Sequence, residues 1–405
     1  MAQLTKTDII HAAFRTWGRK FYQQTSLSLL ARDLGVTKAA LYRHFKNKQA
    51  LLDAMYEYFF NQYTAFIKPG YVKALEATDL IESQLIMMRI IGEYYARNRD
   101  AFVFSLFMVY SERESKDFLL ELDRRGIDMR KIRHIDGGGK IYPPMPQLIL
   151  VSLTFWVASF HKTSHAPDEV PSNEQVDGLI RWIEEKITGG LGLRKDVVDR
   201  IDFEGLERAV PHHLLDIEDT GLLKAVAGVV AEAGPWNATM DMVARRSGLS
   251  KSGLYAHFKN KRDMLGQFFL TEIEGIVNYA GAAIRVSAVP EEQFYLAITA
   301  VADYLRSRPE ILIALDWLKT RRLDLAEAPP PRIYRIFSDI KISGSDTLGA
   351  LSESLKEQTA QWVLFLTANV LMHRPPGMAV SEFPNQSLRI LYKFVALGIN
   401  EYISC

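Results

Sequence analysis

Hydrophobic positions along this chain recur at helical spacing almost from end to end. Ile10, Ala13, Phe14 and Trp17 share one face of a predicted helix, as do Leu223, Val226, Ala227 and Val230. Residues 148–160 and 362–372 are nearly all apolar and predict buried helices. Leu179, Trp182, Ile183 and Ile187 mark an amphipathic helix, and Leu388, Leu391, Val395 and Ile399 mark its counterpart. No alternating apolar–polar run bounded by hairpin turns appears, so the predicted class is all-α. Breakers at residues 137–139, at Pro143-Pro144, at residues 329–331 and at Pro375-Pro376 predict loops.

The chain also repeats itself. The stretch from Ala31 to Lys48 (ARDLGVTKAALYRHFKNK) aligns without a gap to the stretch from Ala244 to Lys261 (ARRSGLSKSGLYAHFKNK), an offset of 213 residues. Weaker matches follow. Glu93-Tyr94 and Arg99-Asp100 face Asp303-Tyr304 and Pro309-Glu310 at 210, and Val151 to His161-Lys162 faces Val363 to His373-Arg374 at 212. So steady an offset implies duplication of a whole unit of about two hundred residues, within the usual size of a domain.

Inside each copy two short helices flank a tight turn. Thr25 or Ser26 is placed to cap the first, over residues 27–34, before a turn at Gly35-Val36. Thr37 caps a second, from Lys38 to about Phe45. Thr239, Gly248 and Ser250 hold the matching places in the second copy. A helix-turn-helix that enters a major groove needs small residues on its second helix, and Ala39-Ala40 and Ser252-Gly253 supply them. Lys38, Tyr42, His44 and Lys48 suit phosphate oxygens.

These residues resemble the DNA-binding domain of the tetracycline-repressor (TetR) family. The family pattern is Ile-x-x-Ala-Ala, a Thr-Ser/Thr cap, then Gly-Val-Ser-Lys-Gly-x-Leu-Tyr-x-His-Phe-x-x-Lys. It stands here as Ile9 to Ala12-Ala13, Thr25-Ser26 and Gly35 to Lys48, and again as Leu222 to Ala225-Val226, Thr239 and Gly248 to Lys261. Where the family places Gly-Tyr after the first helix, this chain has Phe21-Tyr22 and Gly234-Pro235. The resemblance implies that Thr37, Lys38, Ala39, Ala40 and Arg43 face base edges or nearby backbone, as do Ser250, Lys251, Ser252 and Gly253. It implies phosphate contacts for Tyr42, His44, Lys48, Tyr255, His257 and Lys261. The expected organisation is two tandem units: helix-turn-helix domains at 1–54 and 217–267, helical effector or dimerisation domains at 55–190 and 268–405, and a linker at 191–216.

Charge narrows the picture further. The whole chain carries a net charge of only +1, so a polyanion must be met by local patches. Residues 1–54 hold nine Lys and Arg against three Asp; residues 217–267 hold seven against five Asp and Glu. Positive charge therefore concentrates where the motif lies, more strongly in the first copy. The apolar and charged fractions, 48% and 24%, are those of a globular protein. The single cysteine, Cys405, rules out an intramolecular disulfide and, with no signal core or membrane-length apolar run, points to the cytoplasm.

Other residues carry weaker chemistry. His212-His213 lacks a third metal ligand at helical spacing and reads as a solvated linker. Residues 137–140 lack the spacing of a phosphate loop. His161 and His373 match across the copies on apolar helices and read as core or interface histidines rather than ligand contacts. Phe102, Phe104, Phe107, Phe155, Trp156 and Trp317 either line an effector pocket or simply fill helical cores. No nucleophile–base pair, carboxylate pair or metal cluster supports an enzyme, and no cofactor is expected. The resemblance implies a transcriptional regulator that represses in response to a ligand. Its partners would be a double-stranded DNA operator and a hydrophobic or aromatic small-molecule effector, with no membrane involved. Pairing of residues 147–163 and 172–188 with 356–373 and 386–402 would make the chain an intramolecular pseudo-dimer; a homodimer is the other arrangement. A helical ligand-binding or protein-interaction protein, with one or both heads no longer binding DNA, is the second reading.

Overall fold

The computed structural model describes residues 4–19, 26–110, 117–132, 142–163, 169–215, 221–309, 311–312, 336, 340, 353–375 and 377–402. Thr25, Phe21-Tyr22, residues 137–140 and 329–331, Trp317, Pro376 and Cys405 lie outside that set, as do the side chains of Trp17 and Phe107. Among the described residues the regular secondary structure is helical throughout. Cα packing divides the chain into two compact units.

The first unit, residues 1–138 and 156–184, begins with a three-helix head. Helices α1 (Lys6–Arg19), α2 (Leu27–Asp33) and α3 (Lys38–Tyr42) converge on Ile9, Ala13, Leu30 and Leu41, all buried. Helix α4 (Lys48–Glu76) closes this head with Leu51, Leu52 and Met55, then runs on into the body and packs along α5 (Leu80–Arg97). Gly70 gives room to Ile90 of α5, since a Cβ there would lie 2.8 Å from Ile90 Cγ2. Helices α6 (Arg99–Tyr110) and α7 (Phe118–Arg124) complete an aromatic body. Tyr63 meets Tyr94 edge-on at 5.1 Å and stacks on Tyr95 at 5.5 Å. Burial pushes the Tyr95 hydroxyl up to about 12. Phe104 ties head to body, meeting Phe14 of α1 at 4.9 Å and Tyr56 of α4 at 5.4 Å.

Helix α8 (Met145–Thr163) contributes its last turns to this unit, and α9 (Asn173–Gly189) most of its length. His161 is a core histidine, buried, with Nε2 2.9 Å from the Tyr95 carbonyl oxygen. Arg89 Nε donates to Glu184 Oε2 at 2.6 Å and so ties α5 to α9.

The second unit holds residues 139–155 and 185–405. Its head is α12 (Gly221–Asn237), α13 (Met240–Ser247) and α14 (Lys251–His257), closed by α15 (Lys261–Ile284), which packs along α16 (Pro290–Ser307). The stretch before this head is itself folded. Two short helices, α10 (Lys195–Val198) and α11 (Phe203–Ala209), are pinned to the unit by charge. Arg194 donates twice to the buried Glu291, at 2.7 and 3.0 Å, and Arg389 donates twice to Glu207, at 2.8 and 2.9 Å.

Residues of both sequence copies share this second unit. Trp362 Nε1 donates to Ser152 Oγ at 3.1 Å, Gln147 Nε2 donates to Asn369 Oδ1 at 3.1 Å, and Phe155 meets Phe365 at 5.7 Å. Leu191 and Leu193 donate backbone N–H groups to Val395 and Ala396. Within α8, Leu150 departs from the expected burial, being 51% exposed. Among the described residues no helix is long and apolar enough to cross a membrane.

The Phe104 junction predicts a clear stability effect. Phe104 is only 4% exposed and touches three aromatic rings on two other helices, so Phe104→Ala should cost about 3–5 kcal/mol. A urea midpoint shift worth less than about 1 kcal/mol would show the junction to be loosely packed.

Candidate nucleic-acid interface

The turn and the helix caps of the two heads repeat one another bond for bond. Helix α2 ends in a left-handed glycine, Gly35 at φ 66°, and α13 in Gly248 at φ 71°. In the first head Val36 N–H donates to the Ala31 carbonyl at 2.9 Å and Gly35 N–H to Arg32 at 3.0 Å. In the second, Leu249 donates to Ala244 at 3.0 Å and Gly248 to Arg245 at 3.4 Å. Each pair forms the two-bond Schellman closure that satisfies the last carbonyls of a helix and redirects the chain. Caps repeat at the same offset of 213. Ser26 Oγ accepts from Leu29 N–H and Thr239 Oγ1 from Met242 N–H, at 3.1 and 3.2 Å. Thr37 Oγ1 accepts from Ala40 N–H and Ser250 Oγ from Gly253 N–H, at 3.1 and 3.0 Å. Asn47 and Asn260, which sequence reading passed over, cap the next helix by accepting from Ala50 and Asp263 at 2.8 and 3.0 Å. Their signal was present: an Asn just before a helical run, at the same place in both copies.

The turn presents the second short helix with one side inward. Leu41 and Leu254 are 0% exposed, and Phe45 and Phe258 are buried behind them. Lys38, Ala39, Tyr42 and Arg43 are exposed, with Ala40 and His44 half-buried. Lys251, Ser252, Tyr255 and His257 are exposed, with Gly253 half-buried. At 43% and 47% exposure, Tyr42 and Tyr255 are surface groups rather than core. Ser26, Thr37, Thr239 and Ser250 stand at exposed helix starts, and Lys48 and Lys261 are half-buried at the first positions of α4 and α15. A lysine there opposes the helix dipole, so with the helix N-terminal amides it favours an anion. Burial pushes the Lys261 ammonium down. Helix α2 stops at Asp33 rather than Leu34. Helix α3 stops at Tyr42, with a turn carrying the chain through Arg43 and His44 to Phe45.

The heads differ in charge. Lys251 Nζ lies 3.0 Å from Asp241 Oδ1, which holds its ammonium above the usual lysine range. The position equivalent to Asp241 in the first head is Ser28, and there Lys38 Nζ sits 5.6 Å over the Tyr42 ring instead. Asp263, at the place of Ala50, accepts from Lys259 N–H at 2.8 Å. Arg246 pairs with Glu232 at 2.5 Å, where the first copy has Asp33 and Arg19. Arg43 is replaced by Ala256.

Elsewhere, Phe102 and Phe104 are buried among rings, Phe102 against Tyr95 and His161. His373 Nδ1 lies 3.1 Å from the Asn369 carbonyl oxygen. His212 is half open to solvent, 3.7 Å from Asp303 Oδ2. Among the described residues no group of three or more His, Cys, Asp and Glu could hold a metal ion.

A family profile described as bacterial regulatory proteins, tetR family, matches the chain twice, over residues 9–55 and 222–268. The chain carries two tetR-family domains. Its curated relatives include the HTH-type transcriptional regulator TtgR and the probable HTH-type transcriptional regulator ArpR, both of Pseudomonas putida. Each is 43% identical over 60 residues, 14% of this chain and 29% of the relative. The chain therefore matches under a third of either relative's length.

The tetR-family turn makes a local prediction. A Cβ on Gly248 would meet nothing within 4 Å, so Gly248→Ala adds backbone strain alone, about 1–2 kcal/mol. Thr37→Ala removes a cap worth about 1 kcal/mol. Hydrogen exchange should quicken at Ala40 in the second variant; an unchanged rate would show the cap to be idle.

Proposed function

We propose that the chain is a DNA-binding transcriptional regulator, a ligand-responsive repressor whose two tetR-family heads read the halves of an imperfect palindrome as an intramolecular pseudo-dimer. The observation that carries this reading is the pair of exposed helix tips, each bearing a lysine and small residues and each held by the same turn and caps. In it Lys38, Ala39, Ala40 and Arg43, with Thr37, approach base edges or the nearby phosphate backbone in one major groove; Ser250, Lys251, Ser252 and Gly253 do so in another. Tyr42, His44 and Lys48, and Tyr255, His257 and Lys261, hold phosphates. One relative is an HTH-type transcriptional regulator by name and the other a probable one, which agrees.

The pseudo-dimer reading is supported by contacts inside the second unit. Gln147 meets Asn369 and Ser152 meets Trp362, so the two segments run antiparallel. At the repeat offset of 212, Asn369 corresponds to Val157 and Trp362 to Leu150. Equivalent stretches thus cross near their own midpoints, as they do in a two-fold interface. Covalent linkage then keeps the second head at a high effective concentration.

Selection of bound sequences from a random duplex pool tests the proposal. It should return two unlike half-sites about 10 base pairs apart, or a multiple of that. Arg43→Ala should relax preference in one half-site only, and Lys38→Ala should lower the salt slope of binding by about 1. A pool left unenriched at low ionic strength would refute the regulator; sedimentation as an obligate dimer of chains would refute self-pairing.

A further inference from the structure

The second head carries carboxylates at two positions where the first head has none, and each takes up a donor of that head. Asp241, at the second residue of α13, reaches Lys251 with Oδ1 at 3.0 Å and Oδ2 at 3.3 Å from Nζ. Asp263 takes the backbone N–H of Lys259 at 2.8 Å, just before α15. The matching residues in the first head are Ser28 and Ala50. Asp241 is well exposed beside Lys251, and Asp263, half-buried, lies two residues after Lys261.

We propose that Asp241 is an affinity- and specificity-determining residue of the second head: its carboxylate stands in for a DNA phosphate on Lys251 and so makes this the weaker of the two heads. Asp263 reinforces it at the start of α15. The inference rests on the DNA-binding reading and sharpens it. With Lys251 neutralised, the exposed tip of α14 carries no net charge from its lysine, whereas the tip of α3 offers both Lys38 and Arg43. The pair itself is exposed and weak, so DNA can break it. Asp241 then remains beside the phosphate that replaces it and repels it. The first head consequently anchors on any duplex, while the second engages only where base-edge contacts outweigh that repulsion. Operator recognition acquires a polarity: a half-site that sets affinity and a half-site that sets discrimination.

The test uses the full chain and a mixed-sequence duplex long enough for two adjacent half-sites, titrated at several salt concentrations. Asp241→Ser installs the first head's residue. It should raise affinity on the order of three- to tenfold near 0.1 M salt and steepen the salt slope by about 1, the signature of one further phosphate contact. Asp263→Ala should act in the same direction. In a Lys251→Ala background, Asp241→Ser should lose most of its effect. An equal gain in that background would overturn the proposal, because removal of any nearby negative charge would then suffice; no gain in the parent chain would overturn it too. Lys38→Ala separates the two claims. If it weakens duplex binding while Asp241→Ser changes nothing, the regulator stands and this inference falls. If the parent chain ignores the duplex altogether, the DNA-binding reading falls with it.

Discussion

Everything this protein offers to a partner at its two heads depends on helices too short to hold themselves. Helix α3 has five residues and α14 seven, well under the roughly 12–15 at which an isolated helix becomes even marginal in water. Each exists because one leucine, Leu41 or Leu254, is fully buried beneath it and one hydroxyl, of Thr37 or Ser250, closes its first turn. The left-handed glycine before each sets the direction from which it starts. Since the inner side is spent on burial, the outer side is free to carry small and cationic residues. Exposure there is thus a consequence of how the helix is stabilised.

The same scaffold twice over allows the copies to diverge where stability is not at stake. The Schellman closure, the caps and the buried leucine recur at a constant offset, while exposed positions change sign or size: Ser28 to Asp241, Asp33 to Arg246, Arg43 to Ala256. These are surface sites, where substitutions usually alter folding by less than about 0.5 kcal/mol. Electrostatics toward a polyanion is another matter, because every charge on such a face acts on the ligand. Duplication within one chain lets the halves become unequal, which identical subunits of a homodimer cannot do.

Much of this was legible in the sequence because it is local. Hydrophobic spacing gave the helices, a conserved offset gave the repeat, and a glycine between capping residues gave the turn. What escaped was set by side chains meeting across a loop or across the chain. Asp241 and Lys251 are ten residues apart and pair only because the turn folds α14 back beside α13; comparing the copies position by position would have raised the question, since Asp241 faces Ser28. The fold of residues 191–215 escaped for a similar reason: its charged, glycine-broken stretch looks like a tether until Glu291 and Arg389 are seen to hold it. Nor does an apolar run show which neighbour it meets: nothing in the spacing of either segment singles out Ser152 as the partner of Trp362.

The central claim is that the helix tips of both heads are the surfaces that touch duplex DNA. Amide hydrogen exchange of the full chain, with and without a mixed-sequence duplex at low ionic strength, measures this most directly. Exchange should slow over residues 37–48 and, to a lesser degree, over 250–261, with little change in the helical bodies. Equal exchange in both segments with and without duplex, or protection confined to the bodies, would contradict it.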